Sequence, residues 1–249
     1  MKVAGALLSK LILFCQQVAC IEPEWFDTNV LVNRSYRWTE GVVPYEMDGS
    51  HGFVNEWYIW RAMAVYHRNT CVRFAQRRTS DRDWVHITSK GRGCFSKVGR
   101  VGGRQTLNLA RAGCTSAGVV LHELMHVIGF LHEHNRPDRD EYVRVYQENI
   151  LDGAQENFLK LARNVTFEFP YDFDSIMHYG QFTFSKNGNA TMRAKGPTTK
   201  NGRKDFFSET DLAKIRLVYN CTGYQALSPN SRYVFAGIAF AGTYRMWIP

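Results

Sequence analysis

Residues 122–134 read HELMHVIGFLHEH, a stretch in which four histidines and two glutamates are interspersed with large apolar side chains. Buried imidazole and carboxylate groups cost free energy unless something pairs with them. Salt bridges or a metal ion would provide that pairing, and the spacing of the histidines favours the metal. His122 and His126 are four residues apart, so on a helix they share one face and can bind one ion together.

The third histidine of this stretch, His132, lies six residues beyond His126. A continuing helix would not place it on the same face, where residues recur every three or four positions. Gly129 lies between these two histidines, and glycine adopts the positive φ angles that let a chain reverse. His132 is therefore expected to return to the ion from a different direction. Three nitrogen ligands with one open position are typical of a catalytic zinc, whereas structural zinc sites are closed by four protein ligands. The sequence predicts one Zn²⁺ per chain.

Glu123 directly follows the first predicted ligand and is expected to face a water molecule on the zinc. Zinc lowers the pKa of such a water to about 7, and a neighbouring carboxylate takes its proton as the water attacks a peptide carbonyl. The same carboxyl group then passes the proton to the leaving amine. Glu123 is thus predicted to be the general base of a zinc-dependent endopeptidase.

The bulk composition is that of an ordinary globular protein. The chain has 249 residues and a formal charge of +8, from 31 Lys and Arg against 23 Asp and Glu. This length accommodates one sizeable core or two lobes that share a cleft. The basic residues are scattered and no nucleic-acid-binding motif accompanies them, so no nucleic acid is expected as a partner.

The segment MKVAGALLSKLILFCQQVAC, residues 1–20, has the features of a cleaved secretory signal peptide. Lys2 precedes an apolar stretch that ends in small side chains, as a signal peptidase requires. Lys10 interrupts this stretch, which is therefore too short for a membrane anchor of roughly 20 apolar residues. We expect a secreted, extracellular protein that is not associated with a membrane.

The cysteine content agrees with secretion. Four cysteines remain after the signal peptide, and an even number in an exported chain indicates two disulfides, with three pairings open. These cysteines are Cys71, Cys94, Cys114 and Cys221. Four N-x-S/T sequons further predict a glycoprotein, and they begin at Asn33, Asn164, Asn189 and Asn220.

Hydrophobic periodicity predicts the order of the elements. Strands are expected at WTEGVVPYEM, CVRFAQR, DWVHIT and GRQTLNLA, the last with Arg104, Gln105 and Asn108 facing outwards. A helix is expected over residues 53–68, with Val54, Tyr58, Ala62 and Val65 on its buried side. SAGVVLHELMHVIGF reads as a buried helix, and SETDLAKIRLVYNC reads as a closing helix that begins with a capping box.

Several segments together resemble one protein family. SIMHY supplies Met177 downstream of the third histidine, as the metzincin clan requires. WTEGVVPY, HELMHVIGFLHEHNRPDRDEYV, SIMHYG and the spacing of the four cysteines resemble the astacin family of secreted zinc endopeptidases, from about Trp38 to Cys221. The resemblance implies an α+β fold: a two-lobed, metzincin-like catalytic domain with a mixed sheet, a buried zinc-binding helix and a C-terminal helix.

The resemblance also implies roles for single residues. His122, His126 and His132 match the zinc ligands of the family and Glu123 its base. Tyr179 matches a tyrosine that ligates zinc at rest and moves to the oxyanion during turnover, and Met177 matches the apolar floor under the metal. The implied disulfides are Cys71–Cys221 and Cys94–Cys114. Glu133 would receive the buried mature amino terminus, and His134, which has no ligand role, is expected to be structural or solvent-facing.

Family spacing places the mature start near Asn29, which divides the chain into a signal peptide (1–20), a short propeptide (21–28), a catalytic domain (29–221) and a tail of unknown role (222–249). Family zymogens carry an F-x-G-D motif whose aspartate caps the zinc, and no such motif precedes Trp38. Asp27 follows an aromatic pair and is a candidate for the missing aspartate.

The expected partners are protein or peptide substrates, bound by a monomer. Arg203 lies in NGRKDFF, where the family builds the wall that meets the residue after the cleaved bond, and a guanidinium there would pair with an acidic side chain. The alternative is that Arg203 and the neighbouring Lys204 are simply two solvent-facing cations in a polar loop. The competing function is a zinc-binding but inactive secreted protein, which would have no need of both Glu123 and Tyr179.

Overall fold

The computed structural model describes residues 29–30, 33–114, 116–161, 169–196 and 205–222. Several predictions concern segments outside these described residues and stay predictions. They are the signal peptide, the propeptide with Asp27, the sequon at Asn164, the wall residue Arg203 and residues 223–249 of the tail.

A mixed five-stranded sheet forms the frame of the first half of the chain. Its strands are β1 (Val42–Met47), β2 (Arg73–Gln76), β3 (Trp84–Thr88), β4 (Cys94–Ser96) and β5 (Arg104–Leu109), in the spatial order β2-β1-β3-β5-β4. Neighbouring strands are parallel except β4, which runs antiparallel to β5. The four longer strands coincide with the predicted segments, whereas the three-residue β4 was too short to be recognised.

Three α-helices pack with this sheet: α1 (Phe53–Asn69), α2 (Ala117–Val127) and α3 (Glu209–Val218). The buried side of α1 consists of Ile59, Ala62, Met63 and Tyr66. The predicted face was therefore partly wrong, because Val54 is 64% exposed. Ala62 is buried as predicted, and Tyr58 and Val65 are partly buried against the core, whereas Ile59, Met63 and Tyr66 complete the buried side without having been predicted.

The outward-facing polar side chains predicted for β5 were also partly wrong. Arg104 is exposed, but Gln105 and Asn108 are 3% and 1% exposed. Gln105 accepts from the Val101 N–H and donates to the Gly99 carbonyl. Asn108 accepts from the Gly91 N–H and donates to the carbonyl of a second loop glycine. A loop packs on each of these two amides, one on either face of β5, and the amides pair with loop N–H and C=O groups. A strand pattern cannot show that loops will fold over it.

The core of the protein joins the sheet to all three helices. Residues from β1, β3 and β5 pack with α1 and α2, and α3 contributes Ile215 and Val218 to the same cluster. Smaller apolar clusters form beyond residue 142, around the antiparallel pair β6 (Val143–Val145) and β7 (Met192–Ala194). This division into a large and a small packed region confirms the predicted two-lobed α+β architecture.

The closing helix begins as predicted. The Ser208 hydroxyl accepts from the Asp211 N–H, and the Asp211 carboxylate accepts from the Ser208 N–H, which completes a capping box. Within the described part of the chain, no helix has both the length and the apolar character needed to cross a membrane.

Candidate metal centre

Helix α2 presents the first two histidines, and its end turns the chain toward the third. Ser116 caps the helix by accepting from the Val119 N–H. After the helix, Gly129 adopts a φ of +103°, a value that glycine tolerates because it has no Cβ. The Phe130 N–H then donates to the Met125 carbonyl, which closes the helix end. The reversal brings His132 back to the face that carries the other two imidazoles.

The three imidazoles converge on one point through their Nε2 atoms. Nε2 of His132 lies 3.2 Å from Nε2 of His122 and 3.2 Å from Nε2 of His126. Two nitrogens bound to one tetrahedral zinc at roughly 2.0–2.1 Å are roughly 3.3 Å apart. The spacing therefore fits a tetrahedral ion. Among the described residues, His122, His126 and His132 are the group placed to hold a metal.

Backbone carbonyls orient two of these rings. Nδ1 of His122 donates to the Ile176 carbonyl at 2.8 Å, and Nδ1 of His126 donates to the Phe130 carbonyl at 2.7 Å. An N–H donor is required at a carbonyl oxygen, so the proton stays on Nδ1 and the Nε2 lone pair is left for a metal. Burial lowers the pKa of His126 to about 4 and that of His132 well below its usual value. Both rings are consequently neutral near pH 7, as ligation requires.

Glu123, between the two helical histidines, is a buried carboxyl group with little to stabilise its charge. It is 6% exposed, and its Oε2 atom has no hydrogen-bond partner among the described residues. Burial raises its pKa to about 8. A carboxyl group with a free oxygen and a pKa near neutrality is suited to exchange protons with a reacting water.

The segment around Met177 contacts the candidate centre through its backbone. Met177 is fully buried, and its carbonyl accepts from the Glu133 N–H at 3.0 Å. The buried Asp211 carboxylate of α3 accepts from the Ser175 hydroxyl at 2.7 Å and from the Ile176 N–H at 2.9 Å. The capping residue of α3 thereby also fixes the carbonyl that orients His122.

Tyr179 follows this segment and lies beside the third histidine. The ring centroids of Tyr179 and His132 are 4.5 Å apart. Burial, and secondarily the charge of Glu123, raise the pKa of Tyr179, so its hydroxyl keeps its proton at neutral pH. The neighbouring His178 donates from Nδ1 to the Tyr179 carbonyl and shares a 2.8 Å hydrogen bond with the Tyr171 hydroxyl.

Glu133, by contrast, is a buried carboxylate surrounded by donors. Its Oε2 lies 2.6 Å from Nζ of Lys214, and its Oε1 lies 3.0 Å from Nη1 of Arg136. Oε1 also accepts from the Asp172 N–H at 3.1 Å. Lys214 additionally donates to Oδ1 of Asn29, the first described residue. The predicted contact of Glu133 with a mature amino terminus stays a prediction, and the structure adds two cations that the prediction did not include.

The remaining predicted residues fall into structural positions. His134 is fully buried and is not part of the metal-binding cluster. Disulfides join Cys71 to Cys221 and Cys94 to Cys114. The described sequon asparagines Asn33, Asn189 and Asn220 are all exposed.

The sequence did not indicate the contacts that Lys214 and Asp211 make with the candidate centre. Lys214 is 81 residues from Glu133, and no local pattern distinguishes it from a surface lysine. Asp211 was recognised only as a helix cap, and its hydrogen bond to Ser175, 36 residues away, was not foreseen.

Comparisons with known proteins agree with this geometry. The sequence pattern of the peptidase family described as Astacin matches residues 30–220. The chain is 40% identical over 193 residues to zinc metalloproteinase nas-4 of Caenorhabditis elegans, covering 75% of this chain and 60% of that protein. It is 37% identical over 198 residues to zinc metalloproteinase nas-13 of the same nematode, covering 78% and 44%. The chain thus spans less than two thirds of the length of these relatives.

A solved structure shows the same fold. High choriolytic enzyme 1, a hatching enzyme zinc-protease from the medaka fish Oryzias latipes, superposes with a TM-score of 0.72 at 37% sequence identity. The match covers 78% of this chain and 100% of the solved chain.

Proposed function

Because the chain belongs to the astacin family of zinc metalloproteinases, we propose that it is a secreted, zinc-dependent endopeptidase that hydrolyses peptide bonds in proteins. The observation that carries this proposal is the convergence of three Nε2 atoms beside a buried carboxyl group with an unpartnered oxygen. We assign one Zn²⁺ per chain to His122, His126 and His132, with the Tyr179 hydroxyl as a further ligand at rest.

Bound zinc supplies a Lewis acid that polarises the scissile carbonyl and lowers the pKa of the attacking water. Glu123 accepts the proton of that water at its free Oε2 atom and delivers it to the leaving amine. A pKa of about 8 describes the buried carboxyl group without a nearby cation. Positive charge close to a carboxyl group favours its ionised form, so Glu123 is expected to be the carboxylate that a base must be.

Tyr179 is assigned to the developing oxyanion. Its hydroxyl remains protonated because burial raises its pKa, so it can donate a hydrogen bond. A donor aimed at charge that appears only in the transition state raises kcat without tightening the binding of substrate. The ring contacts with His132 support this assignment, because they keep the phenol beside the proposed ligands.

The export and maturation of the protein belong to the same proposal. A signal peptide over residues 1–20 and a propeptide over residues 21–28 would precede a catalytic domain over residues 29–221, followed by a tail over residues 222–249. Two disulfides in the described part of the chain support an oxidising compartment such as the secretory pathway. Asn29 is buried and accepts a hydrogen bond from Lys214, which supports its inclusion in the catalytic domain.

The proposed substrates are proteins or peptides, cleaved by a monomer. The proposal includes a preference for an acidic residue after the scissile bond, paired with the guanidinium of Arg203. Cleavage of a peptide library at low and high ionic strength tests it, since screened long-range attraction fades with salt and a pocket contact persists. A preference that Arg203→Ala leaves intact would remove Arg203 from the binding wall.

The function itself is tested with an unfolded protein substrate. The mature protein should cleave casein, a zinc chelator should abolish cleavage, and added zinc should restore it. Glu123→Gln, which keeps all three proposed histidine ligands, is the matched inactive control. Stoichiometric zinc without any cleavage by the parent protein would favour the alternative, a zinc-binding but inactive secreted protein.

A further inference from the structure

The ring of Tyr179 lies nearly flat on the imidazole of His134. Their centroids are 3.9 Å apart and their planes differ by 29°. The other aromatic neighbours of Tyr179 are more distant: His132 at 4.5 Å, Phe158 at 5.7 Å and Phe184 at 5.8 Å. His134 is therefore the closest flat surface that Tyr179 meets, although it lies outside the cluster of proposed zinc ligands.

The His134 ring is itself held in a fixed plane. It is fully buried, and its Nε2 donates to the Asn157 carbonyl at 3.1 Å. The Asn135 side chain donates to the same carbonyl at 2.9 Å, and the Arg139 guanidinium donates to the His134 carbonyl at 3.1 Å. The imidazole is thus anchored at its ring and at its backbone, so it offers Tyr179 a fixed plane along which the phenol can move.

Phe158 closes the remaining side of this stack. Its ring contacts the His134 ring at 5.6 Å and meets the Tyr179 ring edge-on at 5.7 Å. The Arg139 guanidinium also donates to the Phe158 carbonyl, so the same cation ties the backbone of His134 to that of Phe158. The Tyr179 ring is consequently held between the flat face of His134 and the edge-on ring of Phe158.

We propose that His134 is a positioning residue that fixes the plane of the Tyr179 ring and thereby the reach of its hydroxyl toward the oxyanion. The inference rests on the proposed function, in which that hydroxyl acts in the transition state. A tyrosine without a fixed plane spreads its hydroxyl over more orientations, and fewer molecules then present the donor where charge develops. The geometric precision of such donors determines their effect on rate.

A double-mutant cycle tests this proposal, because a residue that acts through Tyr179 loses its effect when the hydroxyl is gone. His134→Leu should lower kcat about three- to tenfold, as expected for one aromatic contact, with KM and zinc content unchanged. His134→Phe keeps a ring face and should restore most of kcat. In a Tyr179→Phe background, His134→Leu should have no further effect.

An equal loss of kcat in both backgrounds would overturn the proposal, because His134 would then support the site only in a general structural way. Should His134→Leu fail to fold, His134→Gln takes its place, since Gln keeps a donor for the Asn157 carbonyl but has no ring. Its kcat should fall as much as that of His134→Leu, and wild-type kcat in a folded His134→Gln protein would equally overturn the proposal.

A second measurement does not depend on activity. A 3-fluorotyrosine at position 179 of the zinc-free protein should give one narrow ¹⁹F resonance in the parent and in His134→Phe. His134→Gln should shift and broaden it, because the ring samples more than one orientation. An unchanged resonance would contradict the positioning role, whereas a protein that shows this shift but cleaves nothing would contradict only the proposed function.

Discussion

Two glutamates ten residues apart in one segment have opposite surroundings. Glu123 lies on helix α2, 6% exposed, with an oxygen that has no hydrogen-bond partner among the described residues. Glu133 lies in the loop after the chain reversal, fully buried, with a lysine, an arginine and a backbone N–H around its carboxylate. The buried carboxyl group of Glu123 thus has no cation beside it, whereas that of Glu133 has two cations and a backbone donor.

The difference separates the reactive part of the site from its support. A buried charge without a partner is unstable, and this instability makes Glu123 ready to take up and release a proton. The charge of Glu133 is balanced, so it is suited to connect segments. Through its partners it joins the proposed ligand loop to Asn29, to Asp172 and to Lys214 of α3. Substitutions in the two regions should therefore affect different properties.

The largest expected effect is the loss of activity in Glu123→Gln. Removal of a general base lowers kcat/KM about 10²–10⁴-fold, while zinc content stays the same because Glu123 is not a proposed ligand. Peptide hydrolysis and metal analysis on the same preparation provide the measurement. A loss of zinc in proportion to the loss of activity would show that Glu123 acts on the metal and not as the base.

The next effect concerns stability. Glu133→Gln leaves Lys214 and Arg136 buried beside a neutral amide, and breaking a buried ion pair typically costs about 3–5 kcal/mol. Chemical denaturation should show this loss in the free energy of unfolding. Glu148→Gln, at an exposed glutamate, is the control and should change that free energy by less than about 0.5 kcal/mol. A Glu133→Gln protein as stable as this control would refute the supporting role.

Tyr179→Phe should behave like the Glu123 variant. Loss of one oxyanion donor typically lowers kcat by about 10²–10³-fold, with little change in KM or in the free energy of unfolding. Steady-state kinetics measure this, with Tyr142→Phe in the neighbouring aromatic cluster as the control. A Tyr179→Phe enzyme that loses stability but keeps its kcat would move Tyr179 into the supporting region.

The smallest expected effect is a pH dependence of stability in the zinc-free protein. Burial raises the pKa of Glu123 from 4.5 to about 8, so the folded state retains a proton that the unfolded chain releases. This contribution to stability is complete below pH 4.5 and is lost as the pH rises toward 8. Between pH 6 and 7.5 the loss should be about 2 kcal/mol.

The matched measurement is the unfolding free energy of Glu123→Gln at the same two pH values. The variant has no titrating group at this position, so its stability should fall by less than that of the parent. Equal pH dependence in the two proteins would mean that folding does not raise the pKa of Glu123.

The sequence predicted those parts of the site that depend on short spacing. The cluster was predictable from two histidines four residues apart and a glycine before the third. Helix periodicity and a positive φ are local properties that a short stretch of sequence reveals. The capping box of α3 was predictable for the same reason. The family resemblance added Tyr179 and Met177, which no local pattern distinguishes from core residues.

What the sequence did not reveal depends on contacts between distant segments. Gln105 and Asn108 were expected to face solvent, because the pattern of a strand does not show that loops will fold over it. The stack of His134 on Tyr179 joins residues 45 positions apart, and only the folded chain brings the two rings together. The orientation of α1 likewise depended on competition among side chains for one buried surface.

The disulfide between Cys71 and Cys221 joins residues 150 positions apart, and all the proposed zinc ligands lie between them. A protease is exposed to cleavage by its own copies, and any single cut between these cysteines would leave both fragments covalently joined. A nicked molecule would therefore migrate as one species on a denaturing gel without reductant and as two with it. If the proposed protease cleaves its own copies, the bond would convert that self-digestion from an immediate loss of the chain into damage that remains hidden until the disulfide is reduced.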